Sequence, residues 1–387
     1  MQVILLVIDS GGVGEAPDAK RFGDVGSNTI QHAIEAVGGA NLPHLNAMGL
    51  GELVPALKKR SGQLKGASVK IAPRANGKDT LAGHWEMMGL LVKEPFRTYP
   101  EGFSKEVLEQ LEHAFGCPIL GNRAASGTQI IAELGQEHMR TGYPIVYTSA
   151  DSVLQIAAHE EVVPLNTLYQ WCQSAREVMQ GPNLVGRIIA RPFVGKPGAF
   201  VRTFNRHDYA VVPWGPTMVD QLQAAGIETV AIGKIGDIFS RHGFDTLIPT
   251  SGNLDGLEKT CQAALEPPKD RFIFVNLVEF DSHYGHRRDA KGYVRALEEL
   301  DGMLPKIWNA LSSTDQIWIT ADHGCDPTFI GTDHTREWVP WLTYGPSILP
   351  EAGEPRSTLA DIGATLGKLF HTDILGSGTP WSHLLMR

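Results

Sequence analysis

The run Val3-Ile4-Leu5-Leu6-Val7-Ile8 is continuously apolar and stops at Asp9, followed by a turn rich in glycine at Gly11, Gly12 and Gly14. An apolar run without alternation is the pattern of a strand covered on both faces, as in a parallel sheet. The same order of strand, loop and helix recurs. Asn28 to Val37 reads as a helix ended by Gly38 and Gly39. Later come a helix at Thr217–Ala225, a strand at Glu228–Ile232, a helix at Gly256–Leu265 and a strand at Arg271–Phe280. Val294, Leu297, Leu300, Leu304, Ile307 and Leu311 then mark a long amphipathic helix before a strand at Gln316–Thr320. This alternation predicts an α/β fold with a mostly parallel sheet and helices on both faces.

With 387 residues, 42% of them hydrophobic, the chain is long enough for more than one domain. Val92 to Pro95 reads as a boundary, after which helix patterns (Ser104–Phe115, Leu168–Met179) alternate with short strands (Pro144–Thr148, Leu184–Ile189). Pro192, Pro197 and Pro213 punctuate the end of this segment. The expected organisation is a core at 1–95 and 212–387, with an inserted α+β domain at 96–211.

A formal net charge of -9 supplies no overall field for nucleic acid or an anionic membrane, so any anionic ligand must be held by local cations. The four cysteines show no Cys-x-x-Cys spacing, which argues against a structural zinc site or a disulfide framework and predicts a cytoplasmic protein. The first strand is too short, and lacks the basic flank, for a signal peptide or membrane span.

The chemistry gathers at strand ends. Runs ending at Asp9, Asp281 and Asp322 would deliver three carboxylates to the carboxyl edge of one sheet, where α/β proteins bind ligands. His323 follows Asp322, His283 and His286 follow Asp281, and a later loop carries Asp333 and His334. One aspartate after a strand is most often a turn residue. The coincidence of three, with histidines beside two of them, predicts a two-metal site, and a donor set of oxygen and imidazole suits manganese, zinc, iron or magnesium. In Gly77-Lys78-Asp79-Thr80-Leu81-Ala82-Gly83-His84-Trp85-Glu86, Thr80 offers a hydroxyl where a helix begins. Asp79 or Thr80 could simply cap that helix, or Thr80 could be a nucleophile activated by the metals. Gly12-Val13-Gly14 matches only part of a dinucleotide fingerprint, and no Gly-Lys pair is followed by Ser or Thr, so there is no P-loop.

Taken together, Asp9 through Asp18, Lys78 through Glu86, Asp281 through Arg288, Asp322-His323-Gly324 and Gly331 through Glu337 resemble the alkaline phosphatase superfamily and, within it, the phosphopentomutase branch, over nearly the whole chain. The resemblance implies an alkaline-phosphatase-like core and an isomerase that interconverts α-D-ribose 1-phosphate, or its 2-deoxy form, with the 5-phosphate. It implies two Mn²⁺, a phosphothreonine at Thr80, a bisphosphate intermediate and a sugar 1,6-bisphosphate primer. By matching position, Asp9, Asp322 and His323 would bind one ion and Asp281, His286 and His334 the other, with His283 outside the set. Asp151, Arg187, Arg202 and Lys234 would bind substrate, with Arg191 and Arg206 as further cations. Glu279 stands where some relatives have aspartate, which leaves its role open. The expected partners are small pentose phosphates, with no nucleic acid or membrane, and the expected state is a monomer. The alternatives are a metal-dependent phosphohydrolase of the same superfamily and a non-catalytic sugar-phosphate-binding protein.

Overall fold

The computed structural model describes residues 1–60, 63–149, 151–267 and 269–385, apart from the side chains of 58–60. The chain forms two compact units, one of Met1–Pro95 with Pro213–Arg387 and one of Phe96–Val212.

The first unit is built on a sheet whose strand order is Thr246–Ile248, Glu228–Ile232, Arg271–Leu277, Gln2–Ile8, Gln316–Ala321, Val339–Tyr344, Ala67–Ile71 and Glu351–Ala352. The first five are parallel, and Val339–Tyr344 runs against both its neighbours. Every residue of Gln2–Ile8 is buried. Alternate side chains serve opposite faces: Ile4, Leu6 and Ile8 join Ile273, Val275, Ile317 and Ile319 under the long helix Ala290–Ala310 and the helix Thr29–Val37. Val294, Leu297, Leu300, Leu304 and Ile307 form the buried stripe of the long helix. Each such side chain contributes about 1.5–3 kcal/mol by leaving water.

The central three strands carry the three acids. Ile8 is in register with Leu277 on one side and Ala321 on the other, so in parallel strands the segments leading to Asp9, Asp281 and Asp322 leave the same edge. One boundary differs from expectation. The third strand ends at Leu277 rather than Phe280, and Asp281 sits in a π-helical turn, Phe280–Gly285. Phe280 is apolar because its ring packs on Tyr293 at 5.1 Å, not because it pairs in the sheet.

The second unit has, among the described residues, a mixed six-stranded sheet in the order Leu120–Ala124, Ile145–Thr148, Val153–His159, Arg187–Val194 and Val201–Arg202, with His207–Ala210 also pairing on Arg187–Val194. The helices Lys105–Phe115 and Leu165–Val178 share one apolar cluster with Leu154, Ile156 and Ile188, and the helix Gly127–Thr141 shares another with Tyr147 and Phe193. The strand expected at Leu184–Ile189 instead runs Arg187–Val194, through Pro192. Pro192 lies between the Phe193–Arg202 and Ala190–His207 pairings, so on that side its missing N–H breaks no ladder.

Among the described residues no helix is long and apolar enough to cross a membrane.

Candidate metal centre

The turn after the first strand is shaped by close approach. Ser10 takes φ +71°, and its N–H donates to Asp322 Oδ1 at 3.0 Å, binding the Asp9 turn to the neighbouring strand end. A Cβ on Gly12 would enter the carboxylate of Glu337. That buried carboxylate accepts from Thr29 N at 2.9 Å, Thr29 Oγ1 at 2.7 Å, Gly14 N at 3.2 Å and Thr335 Oγ1 at 2.6 Å, so one acid knits together three loops of the site.

Two adjoining triads result. Asp9, Asp322 and His323 offer ligand atoms within 4.8 Å of one another, and so do Asp281, His323 and His334. His286 completes the second group, with Nε2 3.3 Å from Asp281 Oδ2 and 3.2 Å from His334 Nε2. The rings of His323 and His334 stack at 3.9 Å, linking the triads.

The histidines are oriented as metal ligands are. Each gives its Nδ1 to a backbone carbonyl: His323 to Gly324 at 3.0 Å, His334 to Lys78 at 2.8 Å and His286 to Thr332 at 2.6 Å. A ring that donates from Nδ1 presents the Nε2 lone pair, and here all three Nε2 atoms face the carboxylates. Asp9 Oδ1, Asp281 Oδ1 and Asp322 Oδ2 are buried and accept no hydrogen bond. Buried carboxylate oxygens without donors are costly, and divalent cations would satisfy them. The residues therefore fit two such ions.

Charge in the cluster points the same way. Burial, then Asp322 and Asp281 alongside, push Asp9 up to about 7. Burial also opposes ionisation of Asp281, but His334 and His286 hold its carboxyl well below the usual range. Burial disfavours the charged form of His323, yet Asp322 and Asp9 outweigh it and push the imidazole up to about 10.

Thr80 opens the helix Thr80–Met87 beside this cluster, with Oγ1 3.4 Å from His323 Nε2. The helix cap is Asp79, whose Oδ1 accepts from Ala82 N at 3.1 Å. The threonine hydroxyl is thus not used as the cap. Gly83 lets the helix sit this close, because a Cβ there would meet the Asp322 carbonyl oxygen and lie 2.8 Å from Asp322 Cβ. Alanine favours a helix over glycine by about 1 kcal/mol, but overpacking costs about 1–3 kcal/mol and a displacement near 1 Å costs about 10²-fold in rate. Gly83→Ala is therefore expected to lower turnover about a hundredfold with little gain or a net loss in unfolding free energy. Steady-state kinetics and denaturant titration check this, and unchanged turnover would show that the fit is not tight.

Several site-forming residues were not assigned roles from sequence. Arg336 donates to the carbonyls of Pro73, Ala75 and Gly77 at 2.7–2.8 Å and pairs with Asp18 at 2.9 Å. Glu86 accepts from Arg74 N, Ala75 N, Thr358 Oγ1 and Leu359 N. Together they hold the loop that leads to Thr80. Lys78 Nζ is 3.0 Å from Asp24 Oδ2. Cys325 Sγ stands 3.8 Å from His286 Nδ1, and burial pushes its thiol up to about 11 although His286 acts against that. Their only signal in the sequence was proximity to the acids and Thr80.

Of the remaining expected residues, Lys234 lies in the first unit, just after the strand Glu228–Ile232, and its charge acts to lower Asp9. Asp151 and Arg187 come together in the second unit, Arg187 Nη2 lying 3.4 Å from Asp151 Oδ2. Arg202 is at the other end of that strand, opposite Phe193. Arg191 donates to Gln155 Oε1 at 2.9 Å, and Arg206 pairs with Asp208 at 2.6 Å. Glu279 is outside the cluster: it accepts from Asn253 N at 2.6 Å, at the start of the helix Asn253–Ala264. His283 Nδ1 faces Ser282 Oγ at 3.0 Å, also away from the triads.

A family described as the metalloenzyme superfamily matches residues 1–374. The phosphopentomutase of Caldanaerobacter subterraneus subsp. tengcongensis is 51% identical over 381 residues, 98% of this chain and 96% of that protein. The phosphopentomutase of Alkaliphilus metalliredigens is 50% identical over 389 residues, 100% of this chain and 99% of that one. Among solved structures, the PH0037 protein of Pyrococcus horikoshii superposes with a TM-score of 0.50 at 15% identity, covering 97% of this chain and 99% of that one, a likeness of fold alone.

Proposed function

Because the chain belongs to the phosphopentomutase family of the metalloenzyme superfamily, it is an isomerase that moves a phosphoryl group within a pentose phosphate, and we propose that Thr80 carries that group. The observation that supports this reading most is the Thr80 hydroxyl, uninvolved in capping and 3.4 Å from Nε2 of His323, the histidine common to two triads of buried ligand atoms. On this reading Asp9, Asp322 and His323 hold one ion and Asp281, His286 and His334 the other, and both ions are Mn²⁺. When bound, the ions supply Lewis acidity that eases loss of the threonine proton and neutralises phosphoryl charge.

The chain's own residues do the rest. Asp79 and Gly83 fix the helix that aims Thr80. The N-terminus of that helix favours the negative charge of a phosphoryl group on Thr80. Phosphorylated Thr80 gives its group to the free hydroxyl of a pentose phosphate, and the pentose bisphosphate returns its other phosphoryl group to Thr80. A sugar 1,6-bisphosphate primes the first cycle. Lys234 in the first unit is assigned to substrate binding, as separately are Asp151, Arg187 and Arg202 in the second, arginine being suited to two-pronged phosphate recognition. Excluding water from phosphothreonine is what separates a mutase from a hydrolase. The enzyme works in the cytoplasm as a monomer, with its cysteines as free thiols.

Incubation of the Mn²⁺-loaded protein with glucose 1,6-bisphosphate, followed by acid quench and peptide mapping, should place one phosphate on Thr80. Phosphate on another residue, or on none while turnover proceeds, would overturn the assignment.

A further inference from the structure

The cluster holds a fourth histidine that also gives Nδ1 to a backbone carbonyl, but whose Nε2 meets an amide nitrogen and not a carboxylate. His84 lies one helical turn after Thr80, with no exposed surface. Its Nε2 is 3.3 Å from Asn276 Nδ2, and that same amide nitrogen is 3.2 Å from Asp9 Oδ2. A carboxylate oxygen only accepts, so the Asp9 contact fixes which end of the Asn276 amide points inward. The amide's second hydrogen then meets His84 Nε2, which must be the acceptor nitrogen. The ring proton is therefore on Nδ1, which donates to the Thr80 carbonyl at 2.9 Å and lies 3.2 Å from Asp322 Oδ2.

The direction of donation thus runs from Asn276 outward to Asp9 and to His84, and from His84 to the Thr80 carbonyl, with Asp322 Oδ2 standing 3.2 Å from the same nitrogen. His84 has no lone pair left for a metal, and its one N–H holds the nucleophile's own backbone carbonyl while the ring lies beside a ligand carboxylate. Asn276 is delivered by the strand residue in register with Val7, two before Asp9, and Phe274 of the same strand packs against the His84 ring at 5.8 Å.

We propose that His84, oriented by Asn276, is a positioning residue that locks the first turn of the Thr80 helix to the Asp9–Asp322 ion site. This rests on the functional reading above. The proposal separates two roles of one ring: the Nδ1 donor sets the geometry of Thr80 and Asp322, while Nε2 only fixes the tautomer. An asparagine side chain can place an N–H near the Nδ1 position, whereas glutamine places its amide near the Nε2 position.

The test compares His84→Asn, His84→Gln and His84→Leu in the full chain. The readouts are Mn²⁺ affinity for each site by calorimetric titration, extent of Thr80 phosphorylation by glucose 1,6-bisphosphate, and kcat and KM for ribose 1-phosphate. Loss of a group that orients a ligand typically costs about 10–100-fold in metal affinity or activity. His84→Leu and His84→Gln should weaken one Mn²⁺ site by about that factor, leave the other unchanged, and lower kcat with little change in KM. His84→Asn should recover most of both losses. If His84→Leu does not fold, the two amide variants decide the matter. Equal behaviour of Asn and Gln, or wild-type metal affinity and kcat in either Gln or Leu, overturns the proposal. A wild-type protein that binds no Mn²⁺ and gains no phosphate on Thr80 would instead refute the functional reading itself.

Discussion

Thr80→Ala is expected to lower pentose phosphate turnover by about four orders of magnitude or more, the scale seen when a covalent nucleophile is removed. Fold and ion binding should survive. The helix start is secured by Asp79 accepting from Ala82 N, and the two triads contain no atom of Thr80. Substitution at this half-buried position should change stability by about 1 kcal/mol or less. Thr80→Ser keeps a hydroxyl and should keep measurable turnover. Kinetics beside a manganese titration check both variants, and near-normal turnover in Thr80→Ala would remove Thr80 from the mechanism.

Stripping divalent ions should have an effect of similar size on turnover and a clear one on stability. The buried oxygens Asp9 Oδ1, Asp281 Oδ1 and Asp322 Oδ2 lack donors, and each ion that satisfies them adds about 2.7 kcal/mol at a concentration a hundred times its Kd. Chelation should therefore abolish turnover and lower the melting temperature, and Mn²⁺ should restore both. The pH dependence has a definite sign. Burial disfavours the imidazolium of His286, but Asp281 and the Cys325 thiol outweigh it and push it up to about 12. His323 is pushed up to about 10, because Asp322 and Asp9 outweigh its burial. Raised imidazole values favour the folded protein below the ordinary histidine range, and that contribution fades only as pH climbs through about 10 to 12. Ligation needs the neutral ring, so each ion displaces protons and binds more tightly as pH rises, by about tenfold per pH unit for each proton released. Titrations at several pH values in buffers of different ionisation enthalpy check this. Affinity that is flat with pH would mean that these imidazoles are not the ligands.

Much of this site could be read from the chain because buried strands leave a strong mark. Val3 to Ile8 and Ile317 to Ile319 are apolar since both faces of the central sheet are covered, and the acids that follow them are conspicuous for the same reason. Asp281 was found beside its neighbours although its strand ends at Leu277, because Phe280 continues the apolar run for the sake of Tyr293. Short or interrupted elements were not legible. The strand Ala67–Ile71 is only five residues long and carries Ser68 and Lys70, and Val339–Tyr344 contains Pro340. The helix Gly127–Thr141 buries only Ile130, Ile131, Gly135 and His138, too thin a stripe to mark a helix in the sequence. The supporting residues were harder still. Arg336, Glu86, Glu337 and His84 act through backbone carbonyls, amides and other side chains distant in sequence, and no spacing rule encodes such partners. The roles of Asp151, Arg187, Arg202 and Lys234 rest on resemblance, and their own sequence surroundings carry no distinguishing pattern.

The most direct test of the account follows both products at once. Mn²⁺-loaded protein, given ribose 1-phosphate and a trace of glucose 1,6-bisphosphate, should form ribose 5-phosphate with little free phosphate. Stoichiometric release of free phosphate without the 5-phosphate would contradict it, leaving a metal-dependent hydrolase in place of the mutase.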